Sequence, residues 1–152
     1  MYWSTHDEAE HSAVWVMDGP TVTPEEWDRH FADIVQVAEW GRSGGKQPAV
    51  ILFIGHLFLP PDALRRKQLA EATSAPGYNC LLGIVSPNLV LRSVMTAIKW
   101  VRGSTPSGHE NEFFRDAVAA RQWLEGKRDA SLPAFRAMLR RAPAEAVRGL
   151  LG

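Results

Sequence analysis

Hydrophobic positions in this chain fall into short runs separated by Gly, Pro and charged clusters, and their period changes from one run to the next. Ala13-Val-Trp-Val-Met17 is β-branched and aromatic and stops at Asp18-Gly19, which predicts a strand. A shorter strand is predicted at residues 2–5, and the polar turn 6–11 would join the two as an antiparallel edge hairpin. Ala49-Val-Ile-Leu-Phe-Ile54 and Cys80-Leu-Leu-Gly-Ile-Val85 are apolar without alternation. Both faces of such strands must be covered, as in the middle of a parallel sheet. A last short strand is predicted near residues 112–114.

Between the strands the period becomes helical. Thr23-Pro24-Glu25-Glu26 opens a helix: Thr23 caps free N–H groups, Pro24 suits the first turn, and Glu26 closes a capping box. Trp27, Phe31, Ile34, Val35 and Ala38 form its apolar face, and it runs out in Gly41-Arg-Ser-Gly44-Gly45. A second helix is expected over residues 62–73, with Leu64, Leu69 and Ala72 inward. Ser86-Pro87-Asn88 launches a third through residue 102; a fourth covers 116–124 and stops at Glu125-Gly126. Residues 89–101 are apolar around most of the helix, with Arg92, Ser93, Thr96 and Lys99 as a narrow polar stripe, so the sheet plus another helix or subunit should cover them. Residues 132–151 are amphipathic and broken at Pro143, which predicts a kink or two short helices.

Strand–helix alternation of this kind predicts an α/β fold: a mostly parallel four- to five-stranded sheet with an N-terminal edge hairpin, wound as a βα superhelix of right-handed crossovers. Four helices and a C-terminal helical extension accompany it. No linker is long enough to separate two units, so residues 1–126 and the extension 127–152 are expected to pack as one. The extension, with Arg136, Arg140, Arg141 and Arg148 opposite its apolar positions, suits an anionic membrane or a partner's groove. Packing on its own core is preferred, because one face of the sheet would otherwise be bare.

At 45% hydrophobic and 22% charged residues the chain has the composition of a globular domain, not a disordered one. A single cysteine, Cys80, excludes an internal disulfide and a Cys-based zinc site, and its place before an apolar run makes it a buried small hydrophobe. No apolar run is long and uninterrupted enough to span a bilayer, and the acidic N-terminal residues hold no secretory apolar core; a cytoplasmic location is expected. The net charge of zero conceals an asymmetry. Residues 1–40 carry nine carboxylates against Arg29, a net −8, so the remainder carries +8. The two halves either neutralise each other on one surface or steer a partner or self-association. Without a strong positive charge or a recognisable reading motif, no nucleic-acid partner is expected.

Residues 14–19 followed by Thr23-Pro-Glu-Glu-Trp27 resemble the opening of STAS, anti-sigma-factor-antagonist-like domains. Phe113-Phe114 and Ala119-Ala120-Arg121-Gln122-Trp123-Leu124 resemble the family's last strand and closing helix, and the resemblance spans residues 1–126. It implies a non-enzymatic regulator that binds other proteins; some relatives with this fold hold apolar ligands. Many members carry a phosphorylatable Ser between the central strand and the second helix. Here that stretch is Ile54-Gly55-His56-Leu57-Phe58-Leu59, with no Ser, Thr or acid, so the phospho-switch is not carried over.

Chemistry-bearing motifs are few. Gly41-Arg-Ser-Gly44-Gly45-Lys46-Gln47 has the wrong spacing for a phosphate loop, lacks the Ser/Thr for magnesium, and follows a helix instead of opening one; it reads as a helix end. His6-Asp-Glu-Ala-Glu-His11 offers ligand types in a hairpin turn, without the shared face that a helix provides, so no metal is expected. Ser86 lacks a nucleophile elbow and reads as an N-cap. His56 stands past the end of the central strand, where open parallel sheets place their ligand crevices, and is followed by Leu57, Phe58 and Leu59, an apolar loop tip that is either tucked into the core, the preferred reading, or presented to a partner. The candidate contact residues are therefore Gly55, His56, Leu57, Phe58, Leu59, Ser86, Asn88 and Arg92, with no catalytic residue, metal or cofactor. The expected partner is a protein or a second copy in a homodimer, the alternative a small apolar or lipid-like molecule. A small hydrolase-type enzyme is least favoured.

Overall fold

The computed structural model describes residues 1–87, 93 and 109–152. Its strands are β1 (Tyr2–Asp7), β2 (Ser12–Met17), β3 (Ala49–Ile54), β4 (Leu81–Val85) and β5 (Glu110–Phe114), joined in one sheet in the order β1-β2-β3-β4-β5. β1 is antiparallel to β2, and every other pair is parallel. The chain thus adopts the expected α/β fold, a mostly parallel sheet with an N-terminal edge hairpin. Strands that are neighbours in sequence are neighbours in space, so the chain advances across the sheet in one direction, as a βα superhelix does.

Pairing of Trp15 with Leu52, and of Leu52 with Ile84, lines up one set of side chains on each face. Trp15, Met17, Val50, Leu52, Ile54, Leu82 and Ile84 share one core; Val14, Val16, Ile51, Phe53, Leu81 and Val85 share the other. All residues of β2, β3 and β4 are buried, which is why these strands read as continuous apolar runs. β5 is an edge, and its exposed Glu110 and Glu112 discourage further strand pairing.

The first face is covered by α1 (Pro24–Ser43). Thr23 Oγ1 accepts from Glu26 N at 3.2 Å and Glu26 Oε2 accepts from Thr23 N at 2.8 Å, so the predicted capping box forms. Glu26 Oε1 also accepts from Tyr2 N at 3.0 Å, which ties the helix start to β1. Burial opposes the charge on Glu26, but the Thr23 and Tyr2 N–H groups outweigh it and hold the carboxyl below its ordinary range. The buried stripe is Trp27, His30, Ile34, Val37, Ala38 and Trp40. Val35, expected inside, is 56% exposed, because at about 100° per residue the buried arc extends from Ile34 toward His30, Val37 and Trp40, and Val35 falls past its opposite edge beyond Ala38. In the last turn Gly41 is pressed onto the carbonyl of Gly77, where any Cβ would collide. Gly44, at φ +73°, ends the helix, so the glycine-rich stretch is the helix terminus it was read to be.

Helix α2 (Ala63–Thr73) is capped by Asp62, whose side chain accepts from Arg65 N at 2.8 Å. It buries no residue completely and rests on the first core through Leu69 and Ala72. Leu64, expected inside as well, is exposed, since it lies roughly 110° around the helix from the line between those two.

Three helices cover the second face: α3 (Ala117–Arg128), α4 (Ala134–Arg141) and α5 (Ala144–Val147). Ala120, Leu124, Leu132, Phe135, Met138 and Val147 fill that core, so the C-terminal segment covers the sheet. α3 does not stop at Glu125-Gly126. Gly126 stays helical, Lys127 and Arg128 complement the helix dipole, and Asp129 ends the helix in a left-handed turn at φ 50°. Pro143 separates α4 from α5, as its position predicted. Glu10 fastens this layer to the hairpin: its Oε2 accepts from Ala134 N at 3.2 Å, and its carbonyl accepts from Arg128 Nη1 at 2.6 Å.

The third helix read from Ser86 to residue 102, with Asn88, Arg92 and the apolar run 89–101, lies outside the described residues except for Ser86, Pro87 and Ser93. Among the described residues no helix is long and apolar enough to cross a membrane.

Candidate functional site

At the C-terminal ends of β2 and β3 the chain leaves the sheet through two loops, residues 18–23 and 55–62, the position where parallel sheets open a crevice. Gly55 N donates to Met17 O at 2.9 Å and carries the parallel ladder one residue past the strand. The Asp18 side chain lies against the Gly55 Cα so closely that a Cβ there would overlap its carboxylate. Ser86 is buried and its Oγ donates to the Ile54 carbonyl at 2.9 Å. Gly55 and Ser86 therefore brace the base of the loop.

Above this base the side chains alternate. Phe58 is 6% exposed and sits in the core shared with α1, while Leu57 and Leu59 on either side are 65% and 61% exposed. His56 is exposed beside them, and Leu64 at the start of α2 adds a further apolar side chain at 62% exposure. Fully burying one leucine is worth roughly 1.5–3 kcal/mol, so three leucines held mostly in water forgo several kcal/mol. Single exposed leucines are ordinary on a protein surface; three within eight residues around one buried anchor form a patch.

Beside the patch the two loops border an open cleft of about 390 Å³, lined by Val22, Trp27, Phe58, Leu59 and four prolines together with the polar Thr21 and Asp62. Arg65 lies at its edge with its guanidinium carbon 5.8 Å from the centre of the Trp27 ring. Sequence reasoning found Phe58 but missed Trp27 and Arg65 as its companions. Trp27 was read only as a core residue, and nothing in the local pattern brings residues 20–27 beside 58–65.

His30 was also missed. It is buried among Tyr2, Trp15, Trp27 and Phe31, with ring centres 5.0–6.3 Å away. Burial pushes its pKa down to about 3, so the ring is neutral, and its Nδ1 has no hydrogen-bond partner. Nearby, the Tyr2 hydroxyl donates to Asp33 Oδ2 at 2.6 Å, and burial together with Asp33 drives the phenol far above its ordinary value. Cys80 is buried and its thiol is likewise pushed up by desolvation.

The turn carrying His6 and His11 holds its side chains in packing roles. His11 stacks on Trp40 at 5.3 Å with Nδ1 3.1 Å from Lys46 O, and His6 lies 6.0 Å from the same indole. Among the described residues no group of three His, Cys, Asp or Glu side chains could hold a metal ion. No hydrogen bond or ion pair joins His56 to a carboxylate among them either. Of the eight candidate residues, the structure brings Gly55, His56, Leu57, Phe58, Leu59 and Ser86 to one end of the sheet; Asn88 and Arg92 lie outside the described residues. Comparison of the chain with protein-family models, curated proteins and solved structures gives no match.

Proposed function

We propose that the chain is a non-enzymatic regulatory or protein–protein interaction domain of the STAS-like kind, and that its contact surface is the loop from Gly55 to the first turn of α2. One observation carries this reading: Leu57, Leu59 and Leu64 stand in water around the buried Phe58. The loop is also braced before any partner arrives, by the Gly55–Met17 and Ser86–Ile54 hydrogen bonds and by Phe58 in the core. A preordered loop loses less conformational entropy on docking, which favours binding. The family resemblance supports the regulatory part; the missing Ser, Thr and acid in 54–59 means such regulation would not run through phosphorylation of this loop.

Comparative affinity capture from native lysate tests the reading. The bait would be wild type beside a Leu57→Ser/Leu59→Ser/Leu64→Ser variant, in which all three positions are exposed and the fold should persist. A stoichiometric protein held by wild type and lost from the variant is expected. Identical recoveries from both baits would refute the surface.

A second reading is favoured by the cleft. Trp27 and Phe58 offer apolar walls, and the volume falls in the range of small-molecule sites, about 300–1,000 Å³. A small apolar or lipid-like ligand there would survive gentle purification and add mass in native mass spectrometry. No added mass and no thermal shift with fatty acids would remove this alternative.

A further inference from the structure

A separate surface feature concerns α1 and the α4–α5 segment, which lie on opposite faces of the sheet. Their solvent sides carry opposite charge. α1 exposes Glu25, Asp28 and Glu39 beside Arg29 and Arg42, a net −1, with Glu26 and Asp33 turned to Tyr2 of β1, whereas residues 133–152 expose four arginines and one glutamate, a net +3. On α1, Glu25, Asp28, Ala32, Val35 and Glu39 recur at spacings of three and four residues and are all exposed, so they form one line along the helix. Acids stand at its ends, with the small Ala32 and the bare Val35 between them. On α4, Arg136, Ala137, Arg140 and Arg141 are exposed in the same manner, a small apolar position set among arginines. Glu39 is paired with Arg42. Glu25, Asp28 and the arginines of α4 have no ion-pair partner among the described residues.

We propose that a second copy of this chain docks head to tail, laying its α4 arginine face on the α1 stripe of the first. Ala32 and Val35 receive Ala137 and the aliphatic stems of Arg136 and Arg140, and the guanidinium groups reach Glu25 and Asp28. Complementary charge selects this pairing over a symmetric one, which would set arginine against arginine or acid against acid. The zero net charge leaves no long-range repulsion between copies. Because the two surfaces differ and sit on opposite faces, each bound copy keeps one free surface of each kind. Association therefore continues past the dimer unless the rotation closes a ring. It does not involve Leu57, Leu59 or Leu64.

Sedimentation velocity at about 50 mM and about 500 mM salt tests the proposal, since exposed charge pairs are screened between those conditions. Wild type should gain average mass with concentration at low salt, and its association should weaken about tenfold or more at high salt. Glu25→Lys/Asp28→Lys and Arg136→Glu/Arg140→Glu variants, all at exposed positions, should each be monomeric alone. Mixed, they should associate again, because each supplies the surface that the other has lost. The Leu57→Ser/Leu59→Ser/Leu64→Ser variant should associate like wild type, so failure of the loop and failure of this contact are distinguishable. Monomeric wild type at low salt, or a mixture that stays monomeric, would overturn the proposal. So would a monomer that cosediments with phosphatidylglycerol vesicles through Arg136 and Arg140, since that assigns the arginine face to an anionic membrane surface.

Discussion

Replacing His30 by leucine should remove a large part of the acid sensitivity of folding. His30 is held neutral in an aromatic pocket with its pKa lowered to about 3, whereas the unfolded chain presents an ordinary histidine near 6.5. Between those values the unfolded state binds a proton that the folded state refuses, so acid favours unfolding. The contribution of His30 is complete above about pH 6.5 and is lost as the pH falls toward 3. The slope approaches about 1.4 kcal/mol per pH unit. From about pH 7 to about pH 4.5 the loss is roughly 3 kcal/mol, a sizeable share of a typical stability of about 5–15 kcal/mol. Because the lower condition still lies above the folded-state pKa, this loss is set by the unfolded histidine alone. Urea unfolding followed by tryptophan fluorescence at the two pH values, on wild type and His30→Leu, measures it. Effects of carboxylates common to both proteins cancel in the difference, which should change by about 3 kcal/mol against wild type. Parallel losses in the two proteins would refute the neutral-pocket argument, as would an NMR titration of His30 near its ordinary value.

Three further substitutions probe the architecture. Gly41→Ala sets a methyl group against the Gly77 carbonyl and should lower stability by about 1–3 kcal/mol in thermal melts, while Gly126→Ala, with open space around it, should raise stability by up to about 1 kcal/mol. Glu10→Ala removes the carboxylate that holds Ala134 N and Ser12 Oγ; a loss of about 1–3 kcal/mol is expected, with amide exchange accelerated in α4 and α5 before the sheet.

The strands and the start of α1 were legible because their causes are local. Burial on both faces writes a continuous apolar run, and a capping box is spelled out in four consecutive residues. Where two distant segments had to meet, the pattern was less informative. Helical periodicity places Val35 and Leu64 near an apolar face, but the edge of that face is set by where the sheet and α1 lie. Gly126 has the composition of a helix stop, yet the chain needs no positive φ there and finds its left-handed turn at Asp129. His30 counts as polar in any pattern, although Trp27 and Ile34, one turn away on either side, are apolar. The C-terminal segment offered three destinations, and its place on the sheet follows from Phe135 and Met138 meeting Val14 and Val16 in one core.

The site was legible in position and not in orientation. The rule for the ends of parallel strands located residues 55–59. Which of those side chains face water depends on Phe58 joining the core beneath α1, a meeting of segments that are not adjacent along the chain. Ser86 read as a helix cap; its hydroxyl donates to the carbonyl of Ile54 on the neighbouring strand, an acceptor that only the β3–β4 pairing makes available, and the helix it would cap lies outside the described residues.

The β3–α2 loop is the contact surface proposed for this domain. Hydrogen–deuterium exchange on the chain in complex with its captured protein partner, compared with the chain alone, tests it most directly. Slowed exchange concentrated in residues 56–66, with the sheet strands unchanged, is the expected result. Unchanged exchange across that loop, with protection confined to another surface, would contradict it.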